Sequence, residues 1–339
     1  MKIKYIISTL IISLFFGKVT GQLLPQLGGE RAGISALTFL KLETSPATEA
    51  MSGAQISLPG DAYSATWNPA TMTELTNKTI ALSDRVMAAG IMNSYLSAIF
   101  PLKNRSAISF SLTNLNSGEI EKRTVYQPDG TGEIVYSSNL ALGVSYAKVL
   151  SDFFSVGVGV KYVREQLAEF YANTVALDLG FLYKTDFKDL RFAVLLQNFG
   201  PNSSLGGTLP PTTFIPSGSE TIDDYPVSGQ FKMAISMVPY KTELKRLTVI
   251  LQLNVPNDNA ENIALGLDYC YNKIFFLRAG YKINVKDQTI PSVGFGLISR
   301  IGKNPLHIDY SVSTGNTLSL AHTLGVALYF NNQSRDEKR

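Results

Sequence analysis

The sequence predicts an all-β fold: a transmembrane antiparallel β-barrel of about 14 strands with an N-terminal plug in its lumen. Three observations lead there. From about residue 79 the dominant pattern has a period of two, one face of each segment is large and apolar while the other is small or polar, and the links between segments mostly alternate short and long.

In 139–147, Leu140, Leu142, Val144 and Tyr146 alternate with Ala141, Gly143, Ser145 and Ala147. The next segment sets Val156, Val158, Val160 and Tyr162 against Ser155, Gly157, Gly159 and Lys161, and Ile263, Leu265, Leu267, Tyr269 and Tyr271 alternate with Ala264, Gly266, Asp268 and Cys270. A water-soluble barrel with Leu, Phe and Tyr inside would leave Gly, Ala and Ser to cover its surface, where charged residues are the norm. Large residues facing lipid and small or polar ones facing a lumen fit better.

Such segments fall near 79–83, 95–100, 106–113, 139–147, 155–163, 174–183, 191–198, 230–238, 248–255, 263–271, 275–283, 292–299, 306–312 and 318–330. Their number is even, as single-chain bacterial barrels require. Short links at 101–105, 148–154, 184–190, 239–247, 272–274 and 300–305 alternate with longer ones at 84–94, 114–138, 164–173, 199–229, 256–262, 284–291 and 313–317. Short turns face the periplasm in outer-membrane barrels, so both ends of the barrel, and with them the N- and C-termini, are expected there. The last strand ends on Phe330, and the polar tail 331–339 is expected to be disordered.

The start of the chain reads Met-Lys-Ile-Lys, an apolar stretch from Tyr5 to Phe16 and Val19-Thr20-Gly21, the pattern of a signal peptide over 1–21. Beyond it no apolar run approaches the roughly 18 residues of a membrane-spanning helix, which excludes a helical membrane protein. The leader holds Lys2, Lys4 and Lys18 and no acid, so 30 basic residues fall to 27 against 27 acidic ones. A neutral exported chain lacks the basic surface that nucleic-acid binding requires. Cys270 is the single cysteine, which excludes an intrachain disulfide and a cysteine-based zinc site.

Residues 22–76 lack the strand pattern but are apolar, with Ile34 to Leu42 and a small-residue stretch Ala47 to Gly53. A segment of this length and composition is expected inside the lumen as a plug, leaving 77–330 as the barrel. Pro69 fixes its own backbone and keeps Asn68 out of the helix region, while Trp67 supplies a large anchor against the wall.

The run Ala32 to Leu42 containing Phe39-Leu40-Lys41, then Met51-Ser52-Gly53-Ala54, Asp61-Ala62 and Trp67-Asn68-Pro69-Ala70, resembles the N-terminal signature of the PorV/PorQ family of outer-membrane barrels, and Gly118-Glu119-Ile120 fits it too. The chain departs from the usual pattern at Pro46 to Glu49 and at Ser52. The resemblance implies a barrel related to the long-chain fatty-acid transporter fold, acting as an accessory protein of type IX secretion. Its partners would be the large translocon barrel, cargo C-terminal domains, or an attachment complex containing a sortase. It leaves open which branch, cargo shuttle or attachment-complex member, this chain represents.

Candidate sites follow from these readings. In the longest outside loop, Leu205, Leu209, Phe214 and Ile215 stand among Pro201, Pro210, Pro211, Pro216 and Pro226, and restricted backbone lowers the ordering cost of presenting them to a partner. Tyr126 and Tyr136 make loop 114–138 the second candidate. Lumen-facing charges are expected at Lys161, Asp178, Asp268, Arg278, Lys282, Arg300 and Asp309, paired with one another and with the plug. A three-residue turn at 272–274 sets Asp268 opposite Arg278. Of the two histidines, alternation sends His307 to the lumen and His322 to lipid, so no nucleophile has a base and no enzyme is expected. The run Asn257 to Glu261 lacks calcium-loop spacing and reads as a solvated loop, and no cofactor is expected. An outer-membrane channel for hydrophobic small molecules such as fatty acids is the alternative function.

Overall fold

A computed structural model describes residues 33–206, 224–285, 290–315 and 319–330. The expected signal peptide, the tail 331–339 and Leu209, Pro210, Pro211, Phe214 and Ile215 lie outside the described residues. Fourteen strands close into one antiparallel barrel. They are β1 (Lys78–Val86), β2 (Met92–Leu102), β3 (Ser106–Asn116), β6 (Ser137–Val149), β7 (Phe154–Leu167), β8 (Phe170–Lys184), β9 (Arg191–Phe199), β10 (Gln230–Lys241), β11 (Lys245–Pro256), β12 (Asn262–Tyr271), β13 (Phe275–Ile283), β14 (Ser292–Ile301), β15 (Asn304–Gly315) and β16 (Ser319–Phe330). Each pairs with its neighbours in the ring, and β16 returns to β1 from Lys78↔Phe330 to Val86↔His322. Two further strands, β4 (Ile120–Glu121) and β5 (Ile134–Val135), form a separate hairpin above the link between β3 and β6.

The period of two sorts side chains as a membrane barrel requires. Along β6, Leu142, Val144 and Tyr146 are 45–47% exposed while Ala141 and Ala147 are at most 4% exposed. The exposed row is large and apolar, the character of a lipid-facing row in membrane barrels. Among the described residues no helix is long and apolar enough to cross a membrane.

Two of the expected loops are corrected. Residues 164–173 are not a loop, because β7 runs to Leu167 and β8 starts at Phe170. The alternation continues there with Arg164, Gln166 and Asn173 on the outward face, and it faded from view because large apolar residues give way to polar ones toward the long-loop end. Residues 114–138 contain the β4–β5 hairpin, whose two-residue strands are too short to show a period.

Residues 36–75 lie against the inner wall as short turns: Thr38–Lys41, Pro46–Ala50, Ser64–Trp67 and Pro69–Glu74. Ser45 caps the second through Thr48 N, with Pro46 at its first position, and Asn68 caps the last by accepting from Ala70 N at 3.0 Å. The small lumen face lets this chain approach closely. A Cβ at Gly180 would stand 2.1 Å from Asn68 Oδ1, and one at Gly157 2.4 Å from Ala70 N. The apolar core is therefore several small clusters between turns and wall, such as Ile56, Ala70, Leu182, Ala193, Leu195 and Ala234.

The wall carries one marked irregularity. The β8/β9 ladder slips between Leu177 and Leu179, and Asn198, at φ 58°, supplies the extra residue. Asn198 is fully buried; its N–H donates to Asp178 Oδ1 and its Oδ1 accepts from Lys161 Nζ, both at 2.8 Å.

Substituting Gly180 by valine is expected to force Asn68 out of its seat and lower stability by about 1–3 kcal/mol, a typical cost of overpacking. Heat-modifiable migration of the folded barrel measures it.

Candidate functional site

Asp61 organises the lumenal chain near the end where the barrel has its short turns. Its Oδ1 accepts from Tyr63 N at 2.8 Å and from Trp67 Nε1 at 3.0 Å, and its Oδ2 from Gln55 Nε2 at 3.0 Å. Burial outweighs these donors and pushes the carboxyl up to about 6, with Asp309 adding to the rise. Trp67, 3% exposed, packs with Ala62 and Tyr63 of its own segment and with Ala81, Tyr95 and Ala327 on β1, β2 and β16. Asn68 Nδ2 donates to Ile56 O at 2.8 Å, tying the turn to the preceding chain. Gln252 of β11 reaches in from the wall: its Oε1 accepts from Gln55 N and Ile56 N, and its Nε2 donates to Gly53 O at 2.8 Å.

Among the described residues, ion pairs join this chain to the wall and to the loop 257–261. Lys41 meets Asp258 at 2.5 Å, Glu49 meets Arg85 at 3.0 Å, and Glu74 binds both Lys184 at 2.9 Å and Arg191 at 2.8 Å. Wall charges also pair among themselves. Asp268 sits directly opposite Arg278, with Nε to Oδ1 at 2.9 Å; Arg278 also reaches Asp309 at 2.5 Å, and Lys161 reaches Asp178 at 2.6 Å. Arg300 is exposed near the β14–β15 turn. Breaking such a pair strands a charge in a poorly hydrated site, which is expensive.

Sequence reasoning missed Arg85, Glu49, Glu74, Lys184, Arg191 and Gln252. Alternation marks Arg85, Lys184, Arg191 and Gln252 as lumen-facing, yet nothing in the sequence names partners that lie from 36 to about 200 residues away. Lys41, Phe39 and Leu40 lie at the long-loop end rather than near Asp61. Phe39 is buried with Leu37, Ala141, Val163, Ala176 and Val227, and Leu40 packs at the edge of that cluster. Gly53 takes φ +81°, a conformation side chains rarely adopt. Leu205 is half-buried, whereas Tyr126 at the hairpin tip is 95% exposed.

Space in the lumen is divided. A cavity of about 260 Å³, lined by Asp61, Arg246, Asp268, Arg278, His307 and Tyr329 among others, sits toward the short turns. Another of about 200 Å³, lined by Lys41, Glu43, Glu49, Arg85 and Lys282, sits toward the long loops. The two share no lining residue, and the turn Pro46–Ala50 stands between them. His307 stacks on Tyr329 with ring centroids 4.4 Å apart, and on the outer face His322 Nδ1 pairs with Tyr310 Oη at 2.7 Å, so neither histidine faces a serine nucleophile. Asp258 of the 257–261 loop is engaged by Lys41. Among the described residues no cluster of His, Cys, Asp and Glu has the makings of a metal site.

Trp67→Ala is expected to lower stability by about 3–5 kcal/mol, the usual cost of truncating a buried aromatic, read by thermal unfolding. The raised carboxyl of Asp61 contributes stability that is present at acid pH and lost as pH rises through about 6. Asp61→Asn keeps an oxygen for Tyr63 N and Trp67 Nε1 and is expected to flatten that fall in melting temperature between pH 4 and about 7; an unchanged pH profile would contradict it.

Residues 28–179, under half of the chain, match the model of the family described as type IX secretion system protein PorV. No curated protein matches the sequence. Similar solved structures include the Ralstonia pickettii toluene transporter TbuX, at 14% identity and TM-score 0.53 over 84% of this chain and 97% of that one. The Pseudomonas putida toluene transporter TodX gives 13% identity and TM-score 0.54 over 85% and 97%. A Pseudomonas aeruginosa FadL homologue gives 12% identity and TM-score 0.52 over 85% and 98%. Residues 28–179 thus match the PorV family model, and the fourteen-stranded closed barrel shares its fold with FadL-like outer-membrane barrels.

Proposed function

We propose that the chain is an accessory outer-membrane barrel of type IX secretion that engages the translocon, cargo C-terminal domains or attachment-complex proteins through its outside loops. The match to the PorV family over 28–179 carries this reading. Within it, residues 33–75 act as the plug, the short turns and the strand ends Lys78 and Phe330 face the periplasm, and the outward rows meet outer-membrane lipid.

The β4–β5 hairpin is the contact element favoured by the geometry. It is braced by Thr131 N and Oγ1 donating to Lys122 O, both at 2.9 Å, and by Lys122–Glu133 at 2.8 Å. Its tip carries Val125 and Tyr126, 94% and 95% exposed, with no apolar neighbour to cover them. Preorganised apolar side chains of this kind bind with little ordering cost. Loop residues Leu205, Leu209, Pro210, Pro211, Phe214 and Ile215 are proposed as a second contact.

The second reading, a channel for hydrophobic small molecules, draws on the toluene transporters that share the fold. Against it stand the divided lumen and the charged lining of both cavities, where a continuous apolar tunnel is required. Tagged protein drawn from its native membrane in mild detergent after light cross-linking separates the two. Enrichment of a giant translocon barrel, sortase-like proteins or cargo sharing a C-terminal domain is expected, measured by mass spectrometry against an unrelated barrel. Recovery of the bare barrel carrying an apolar ligand would favour the channel. Replacing Val125 and Tyr126 by serine is expected to cut partner recovery several-fold without lowering thermal stability, since both side chains are solvent-exposed.

A further inference from the structure

Extended chain continues from the rim of the barrel across its mouth. Tyr171 of β8 exchanges backbone hydrogen bonds with Gly206 at 3.1 and 2.8 Å, and Ser203 does the same with Tyr225 at 2.8 and 2.9 Å. Ala36 N then donates to Pro226 O at 2.9 Å, while Ala36 O accepts from Ser228 N at 3.1 Å. Residues 203–206, 224–228 and 34–36 therefore lie side by side, antiparallel, antiparallel and parallel in turn. They form an awning over the long-loop end. Its underside is Leu37, Phe39 and Val227, seated on Ala141, Val163 and Ala176 of the wall.

Beyond the Tyr171–Gly206 bridge, side chains hold the awning on two sides. At its root is the Asn198 bulge, whose Nδ2 donates to Leu40 O at 3.3 Å and to Ser228 O at 3.5 Å. On the far side Lys41 meets Asp258, and Asn257 Nδ2 donates to Val227 O at 2.8 Å. Its own seams are single bridges, each one residue long, against nine paired residues where β1 meets β16. Leu37 holds φ +59°, a left-handed conformation that a leucine keeps only while its surroundings enforce it. Below it, the chain from Gly53 to Met72 is seated by Gln252, Asn68 and Asp61 and by close contact with wall glycines. Single-bridge seams and a strained residue mark the awning as locally less stable than the barrel ladders beside it.

We propose that residues 34–42 and 224–229 open as one unit about the Asn198 bulge, with Lys41–Asp258 as the latch, while the chain from Gly53 to Met72 stays seated. Opening uncovers Leu37, Phe39 and Val227 as an apolar surface at the mouth and exposes the cavity beneath, lined by Phe39 to Thr44, Lys161 and Lys232. Neither consequence depends on the secretion reading.

Hydrogen–deuterium exchange of the full chain in detergent tests this directly. Amides of 36–42 and 224–229 are expected to exchange at one common rate, faster than those of 53–72 and of the barrel strands. Lys41→Gln and, independently, Asp258→Asn are expected to raise both stretches together by about tenfold, as loss of a partly buried ion pair implies, with 53–72 unchanged. Different rates in the two stretches, a response confined to one of them, or protection equal to that of the wall would overturn the proposal. So would a rise that spreads through 53–72, because the mobile unit would then be the whole lumenal chain.

Discussion

The structure depends on one constraint: backbone N–H and C=O groups within hydrocarbon find partners only in protein, so a sheet that crosses a membrane must close on itself. Pairing of β16 with β1 over nine residues meets that demand. Closure creates a lumen, and the side chains that face it are too small to fill it. Ala81, Ala107, Ala147, Ala176 and Ala327 are almost fully buried because chain from elsewhere in the sequence covers them.

Covering them falls to residues 36–75, and the terms of that contact explain the composition of the inner wall. Gly157, Gly180 and Gly280 stand where backbone or a buried amide of the lumenal chain comes so close that a Cβ would collide. Where the approach is wider, polar side chains span it, as Gln252 does to Gly53 and Gln55. Lumenal charges then need partners, and Glu49, Glu74 and Lys41 each find one on the wall. The bland face read along every strand is thus the mould of a specific filling.

The same arrangement places the two ends of the lumenal chain far apart. Asp61 and Trp67 lie by Tyr329, close to the final residue of β16, whereas Ala36 lies beside Val227 in the long-loop region. The segment spans the barrel, and the polar cavities toward its two ends share no lining residue. A divided and charged lumen suits a protein whose work is done by its loops and rim better than one that passes an apolar solute.

The sequence by itself determined the class of fold, because a period of two with a large, uncharged outer face and a small inner face is met by a barrel whose outer face lies in an apolar medium. It also marked Phe39, Trp67, Asn68 and Asp61 within the nonstrand segment, and the turn at 272–274 was short enough to set Asp268 against Arg278 through local register. Strand ends were less legible: toward the long-loop end the outward face turns polar and the contrast that reveals a strand disappears, as at Arg164 to Asn173. The β4–β5 hairpin was hidden for a similar reason, since two-residue strands have no period. Tertiary structure alone decided the partners of Glu49, Glu74, Lys41 and Gln252, the place of the Asn198 bulge, and the bridge from Ala36 to Val227. Those contacts join residues separated by tens to hundreds of positions, and only closure of the ring, which fixes where every strand stands around the lumen, brings them within bonding distance.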